Sequence, residues 1–511
     1  MLQRYNTMDF WWNIFGYNPE NPLIFTKLSF WVFWAFVLLG YQQVYGRLQW
    51  RNWFLLGVSL FYYYKAGGYF FVLLLCSTLI DYVLGWWIYE APSRRLKRLG
   101  LGLSVCINLG VLAYFKYAYF GVELYNYWMQ AELKPINGMA WWSNALFDTQ
   151  YNIHHIILPV GISFYTFQTI SYTADIYRGK LKPLYRLRDF ALYVTFFPQL
   201  VAGPIVRAAE FAPQLNSPYQ IDREEYGQGI FLIVSGLVKK ILIADFIALH
   251  FVDRVFERPE LYTGFENLMA MYGYALQIYC DFSGYTDIAI GLALLLGFQL
   301  PQNFRAPYLA QSPADFWRRW HISLSTWLRD YLYIPLGGNR YGAGRTYLNL
   351  MLTMLLGGLW HGANLRFVLW GAWHGLGLCI HRLWRYYFPL AEPLRGLPRF
   401  WAGVLTFHFV CLGWLLFRAD SLNTVGLMLG QMWHSFGWST AAEVMGYYRE
   451  VFALMGLGYL AHILPQNLKA DFCRFFTFQP AWVQAIFITL IIIALYQADS
   501  AGFQPFIYFQ F

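Results

Sequence analysis

Tyr69-Phe70-Phe71-Val72-Leu73-Leu74-Leu75-Cys76-Ser77-Thr78-Leu79-Ile80 carries no charged side chain and no strand-like alternation with polar partners, and its reading decides the fold. Similar apolar cores lie at residues 30–39, 230–238 and 483–495, each flanked by polar clusters. Blocks that extend to roughly 18 or more mostly apolar residues read as membrane-spanning helices. Over the whole chain of 511 residues, 58% are hydrophobic and 13% charged, against about 25% charged in soluble proteins, which excludes an ordinary soluble protein. Candidate spans fall near residues 28–45, 50–64, 69–89, 100–120, 154–172, 228–250, 266–297, 347–366, 367–388, 400–418, 448–465 and 480–497. The expected fold is an all-α polytopic membrane protein of roughly a dozen transmembrane and re-entrant helices. No linker divides it, so residues 1–511 read as a single domain with its motif-bearing core at about 154–388. No repeat of fixed period and no matched pair of broken helices marks a transporter.

Aromatic residues make up 21% of the chain, including 23 Trp and 40 Tyr. Anchoring at headgroup level accounts for most of them. The net charge of +9 does not point to nucleic acid, because the basic residues read as short inter-helix segments: Arg94, Arg95, Lys97 and Arg98; Lys180, Lys182, Arg186 and Arg188; Lys239 and Lys240; Arg395 and Arg399. Such loops are expected on the cytoplasmic side. The six cysteines are scattered without CxxC spacing, so neither a disulfide framework nor a metal site is expected. The N-terminus shows no cleavable signal peptide.

Two stretches do not fit plain spans. Phe196-Phe197-Pro198-Gln199-Leu200-Val201-Ala202-Gly203-Pro204 is apolar but interrupted by two prolines and a glycine, so a continuous helix is not expected. Non-helical backbone at membrane depth is buried in protein or lines a wet cavity, which makes this a re-entrant candidate. Residues 312–338 open with Ser312-Pro313, a good helix start, and then mix Trp317, Trp320, Trp327 and Tyr331 with Arg318, Arg319, His321 and Arg329. That mixture is too charged for a lipid-facing span and too aromatic for a solvated helix.

Ionisable groups inside apolar segments are costly and tend to face the bundle interior, which makes them the functional candidates. His361 stands in Gly357-Gly358-Leu359-Trp360-His361-Gly362-Ala363-Asn364, where glycines let backbone and substrate approach closely. An imidazole, with an ordinary pKa of about 6.5, suits removal of a hydroxyl proton at neutral pH. The alternative is a buried histidine bonded to a carbonyl. On one helix from Pro313, Arg318, His321 and Ser325 would form a polar stripe able to bind an anionic donor group or position a carbonyl, although a solvated helix face would look the same. His374, thirteen residues after His361, would lie on another face of a single ideal helix and reads more readily as packing. Asp281 and Asp287, within an apolar span, are expected to pair with arginines of the polar helix. P-loop, HExxH, GxSxG and GxGxxG motifs are missing, so nucleotide hydrolysis, zinc proteolysis and serine hydrolase chemistry have no support.

The run from Asp315 through Phe316-Trp317-Arg318-Arg319-Trp320-His321-Ile322-Ser323-Leu324-Ser325 to Tyr331, continuing to Gly338 and followed by Leu359-Trp360-His361-Gly362, resembles the core of the membrane-bound O-acyltransferase family. Segments 159–168, 198–205 and 277–285 are similar to its bacterial branch, which holds the membrane subunit of alginate O-acetyltransferase and the D-alanyl transferase of teichoic acid. The closing Pro505-Phe506-Ile507-Tyr508-Phe509-Gln510-Phe511 also resembles the alginate-type proteins, so the resemblance spans nearly the whole chain.

The resemblance implies a helical ring around a tunnel across the bacterial inner membrane, with the family's essential histidine matching His361 and its second motif histidine matching His321. It implies a cytoplasmic thioester donor, acetyl-CoA or another, no bound cofactor, and an acceptor hydroxyl from the opposite side. His361 would act as general base and a polar neighbour would hold the oxyanion. Trp360, Arg318, Ser325, Asn364 and Asp281 are the candidate substrate-binding residues, Asn364 by orienting His361. Implied partners are a polysaccharide acceptor such as alginate or cellulose, periplasmic or membrane-anchored acetylation subunits and, for D-alanyl transfer to teichoic acid, an acyl carrier protein; a partner protein could itself be the final acceptor. The competing classes are a transporter of lipid-linked sugar, which would also carry intramembrane Arg and His but lacks the paired broken helices, and a non-catalytic scaffold, which does not explain a histidine in a glycine-rich apolar turn.

Overall fold

The computed structural model describes residues 16–19, 22–201, 203–389 and 395–499, so Ala202 and the closing segment 505–511 lie outside the described residues. Every candidate span overlaps a helix, although 154–161 precede the helix that begins at Ile162, and no strand occurs among the described residues. Among the described residues, four helical runs are long and apolar enough to cross a membrane: Leu48–Glu90, Arg94–Met129, Gly264–Leu295 and Gly396–Arg418. A fifth is reached if the pair Arg449–Ile463 and Gln466–Phe478, bent by 100°, counts as one span. Leu28–Val44 and Ala481–Tyr496 are apolar but shorter. Of the remaining candidates, Gly342–His361 and Leu365–Tyr387 are 20 and 23 residues long but carry too many polar residues, and Ile162–Tyr177 has only 16 residues.

The described residues form two compact units, one of those up to residue 201 with 205–219, the other of residues 203 and 204 with those from 220 to 499. In the first, α1 (Leu28–Val44), α2 (Leu48–Gly67), α3 (Phe71–Glu90), α4 (Arg94–Met129), α5 (Ile162–Tyr177) and α6 (Leu187–Thr195) pack around a polar interior. Asp81, fully buried on α3, accepts hydrogen bonds from Ser104 Oγ at 2.6 Å and Asn108 Nδ2 at 2.7 Å on α4, while Thr169 Oγ1 on α5 donates to Asn108 Oδ1 at 3.0 Å. A buried carboxyl is tolerated because each of its oxygens is satisfied. After α6 the chain breaks at Phe196 and makes only the short turn Phe197–Leu200, so the interruption expected from the prolines is present, with Phe196, Phe197, Gln199 and Leu200 all buried.

The second unit is organised by glycine. Helix α7 (Arg223–Leu237), which continues through wider π turns to Glu257, lies antiparallel to α8 (Gly264–Leu295). A Cβ on Gly236 would stand 2.5 Å from the carbonyl of Gly284, and one on Gly291 would stand 2.5 Å from that of Gly229. Backbones in such contact leave no room for any other residue. This closeness presents Lys239 and Lys240 to Asp287 and Asp281: Lys240 Nζ donates to Asp281 at 2.5 Å and to Asp245 at 2.7 Å, and Lys239 Nζ to Asp287 at 2.5 Å. Two expectations are thereby corrected. The aspartates pair with these lysines and not with the arginines of residues 312–338, and Lys239 and Lys240 belong to a helix interior and not to an inter-helix loop. A fully buried ammonium persists because two carboxylates hold it.

Candidate active site

Residues 312–328 were expected to open as one helix. Ser312 caps α9 (Pro313–Arg319) by accepting the Asp315 N–H at 3.1 Å, but the helix stops there. Trp320 is extended and His321 adopts a left-handed conformation, φ 42°, ψ 57°, before α10 (Ile322–Leu328) begins. The expected stripe therefore does not exist. Arg318 is exposed on α9 and pairs with Asp315, whereas His321 is fully buried and Ser325 donates its Oγ hydrogen to the Trp320 carbonyl at 3.1 Å. A non-glycine residue in this region is uncommon and costs roughly 1–3 kcal/mol unless its surroundings fix it.

Asn303 supplies that fixing. Its Oδ1 accepts the Ser323 backbone N–H at 3.1 Å and the Ser323 hydroxyl at 2.9 Å, and lies 3.1 Å from His321 Nδ1. Because a backbone N–H can only donate, the amide oxygen faces this cluster, and Nδ1 of His321 carries the hydrogen given to it. Nε2 is then the basic nitrogen. Burial pushes the His321 pKa down to about 3, so the ring is neutral at physiological pH. No periodicity singles out Asn303 in its loop, and sequence reading missed it.

His361 is the last residue of α11 (Gly342–His361), and α12 (Leu365–Tyr387) returns against it. Glycine again sets the distance: a Cβ on Gly358 would lie 2.2 Å from the Phe367 carbonyl, one on Gly371 2.3 Å from the Met354 carbonyl, and one on Gly362 2.0 Å from the Phe367 ring. The Gly357-Gly358…Gly362 pattern thus packs two helices tightly where the histidine ends one of them. Asn364 is exposed and caps α12, its Oδ1 accepting the Arg366 N–H at 3.0 Å, so that oxygen belongs to the helix end and the orienting role expected of it has no support.

The buried His361 ring sits in an aromatic chamber, with centroids 5.0 Å from Trp360, 5.0 Å from Trp370 and 5.3 Å from Phe417 on α13 (Gly396–Arg418). Trp360 also touches His321, at 6.3 Å, and so joins the two motif histidines. His374 enters from α12, 4.8 Å from Trp370 and 5.2 Å from Trp317, with no hydrogen-bond partner for either ring nitrogen among the described residues. The expectation that His374 faces elsewhere assumed one helix from 361 to 374, but the chain reverses at residues 362–364, and Trp370 contacts both rings. A pocket of about 220 Å³ adjoins, lined by Trp317, Ser325, Leu328, Arg329 and Met354 among others. Asp281, held by Lys240, offers its carboxylate to that ammonium.

The chamber thus gathers three buried imidazoles, aromatic walls and a neighbouring pocket, the elements needed to take a proton from a hydroxyl away from bulk water. The family model of MBOAT, membrane-bound O-acyltransferase family, matches residues 180–419, which include His321 and His361. The chain is 37% identical to a "Probable alginate O-acetylase AlgI" of Pseudomonas putida, over 96% of this chain and 100% of that protein.

The chain belongs to the membrane-bound O-acyltransferase family.

As a membrane-bound O-acyltransferase it is an enzyme, and its apolar helices agree with a membrane protein. Other relatives spread over different acceptors: a "Peptidoglycan O-acetyltransferase" of Helicobacter pylori is 36% identical over 78% of this chain and 77% of its own length. A "Teichoic acid D-alanyltransferase" of Bacillus subtilis is 30% identical over 53% of this chain and 71% of its own.

Proposed function

We propose that this O-acyltransferase moves an acetyl group from a cytoplasmic thioester, acetyl-CoA or another acetyl donor, to a hydroxyl of an extracytoplasmic polysaccharide, with His361 as general base. The observation that carries the reading is the enclosure of His361 beside Trp360, a tryptophan that His321 also neighbours. His361 takes the proton as the hydroxyl oxygen attacks the thioester carbonyl; the C–S bond then breaks, the thiolate leaves and is protonated, and an ester remains. A hydroxyl far above neutral pKa needs such a base. His321, neutral and held by Asn303, offers Nε2 to orient the acceptor hydroxyl. Trp360 walls the reacting centre, and Ser325, at the rim of the neighbouring pocket, is placed to meet the donor.

The setting is a single membrane domain over residues 1–511, with roughly a dozen transmembrane and re-entrant helices around a tunnel in the bacterial inner membrane. No cofactor is bound, and periplasmic or membrane-anchored acetylation subunits carry the group onward. Relatives named for alginate and peptidoglycan O-acetylation support the acetyl group. Transfer of D-alanine from a carrier protein to teichoic acid is the second reading, favoured by the more distant relative. To separate them, the purified protein in nanodiscs is given labelled acetyl-CoA or labelled D-alanyl carrier protein with alginate, acetyl-free cellulose and teichoic acid. Label reaching a polysaccharide from acetyl-CoA supports the proposal; label moving only from the carrier to teichoic acid replaces it with the second reading.

A further inference from the structure

A second cavity, of about 560 Å³, shares no lining residue with the histidine chamber or its adjoining pocket and lies between α13 and α14 (Arg449–Ile463). Its α13 wall is one helical face, Gly396, Arg399, Phe400, Gly403, Val404 and Phe407, spaced by threes and fours. The opposite wall includes Tyr459, His462 and Ile463. From Arg399 to Phe407 the face rises about 12 Å at 1.5 Å per residue, close to the roughly 15 Å of hydrocarbon in one leaflet. Leu397, Phe400, Trp401, Leu405 and Ile463 beside it are all more than half exposed, so the groove opens toward an apolar medium and not toward water.

Two polar groups mark what the occupant carries. Arg399 is exposed at one end of this face and has no acidic partner among the described residues. His462 is 3% exposed; its Nε2 accepts the Tyr308 backbone N–H at 3.1 Å, which in the neutral ring puts the hydrogen on Nδ1, and Nδ1 has no acceptor among the described residues. A buried N–H without an acceptor costs about 1–3 kcal/mol, so a ligand oxygen there is favoured. An apolar groove of single-leaflet length, a cation at its end and a buried N–H along its wall match an anionic glycerophospholipid: phosphate at Arg399, an ester oxygen at His462 and one acyl chain along Phe400–Phe407.

We propose that this groove is a binding site for an anionic phospholipid of the surrounding bilayer, separate from the acyl-transfer site. The test uses the full-length protein released from nanodiscs into a mild detergent, with dioleoylphosphatidylglycerol and dioleoylphosphatidylcholine supplied in equal amounts and retained lipid counted by native mass spectrometry. Gly403 has open space around it, so Gly403→Leu puts a side chain into the groove without a clash. Arg399→Gln removes the cation on an exposed side chain and reads out even where Gly403→Leu disturbs folding. The expected result is preferential retention of phosphatidylglycerol, falling about fivefold in Arg399→Gln and further in Gly403→Leu, with inorganic phosphate unable to displace it. Equal retention of the two lipids, unchanged retention in both variants, or displacement by phosphate overturns the proposal.

Discussion

Gly358→Ala adds one methyl group where α11 meets α12, and its effect can be worked from distances. The new Cβ would stand 2.2 Å from the Phe367 carbonyl oxygen, against the 3.4 Å at which ordinary contact begins, a shortfall of 1.2 Å. The nearest atoms are backbone, including Gly371 Cα at 3.1 Å, so no side chain can swing aside and the two helices must separate. Overpacking of this kind costs about 1–3 kcal/mol. Because His361 ends the displaced helix, and a misplacement of about 1 Å costs on the order of 10²-fold in rate, activity should fall far more than folded yield. The control is Gly344→Ala on the same helix, where no neighbour lies within 4 Å and the change should stabilise by roughly 0.5–1 kcal/mol with unchanged turnover. Acyl transfer by monodisperse protein in nanodiscs, normalised to folded protein, measures both. Full activity in Gly358→Ala would refute the claim that this contact positions the histidine.

Three further outcomes follow from the buried polar groups. Lys240→Met should destabilise by about 3–5 kcal/mol in denaturant unfolding, since it leaves Asp281 buried without its cation, and adding Asp281→Leu should restore much of the loss. Asn303→Ala should lower stability by about 1–3 kcal/mol and reduce turnover, because the Ser323 N–H and His321 lose their common acceptor; Asn303→Asp, which keeps an acceptor oxygen, should retain more of both. His321 is held with its pKa lowered from 6.5 to about 3, so the unfolded chain binds its proton first as pH falls. This group's contribution is fully present above pH 6.5 and lost between there and pH 3, at up to about 1.4 kcal/mol per unit, and His321→Gln should flatten that part of the stability profile.

The helices and the two motif histidines were legible because their signals are local. Apolar blocks mark spans without reference to partners, and His361 stands out by its glycines, whose purpose is visible within a few residues of chain. What stayed hidden depends on long-range geometry. The break at His321 occurs in a Trp-Arg-Arg-Trp-His-Ile-Ser stretch that any helix would accept, and its cause, Asn303, is 18 residues away. Lys239 and Lys240 read as a loop because two adjacent lysines are costly in an apolar helix; only the close approach at Gly236 and Gly284 brings aspartates to neutralise them. A single helix from 361 to 374 sets His374 on another face, but the chain reverses at residues 362–364 and brings Trp370, one turn before His374 on α12, against His361.

The central claim is that His361 takes the proton from the acceptor hydroxyl, and single-turnover transfer from a labelled acetyl thioester tests it most directly, with wild type compared with His361→Gln at equal folded yield and equal thermal stability. The account predicts that donor binding persists while ester formation falls by roughly 10²–10⁴-fold. Ester formation at the wild-type rate in His361→Gln would contradict it.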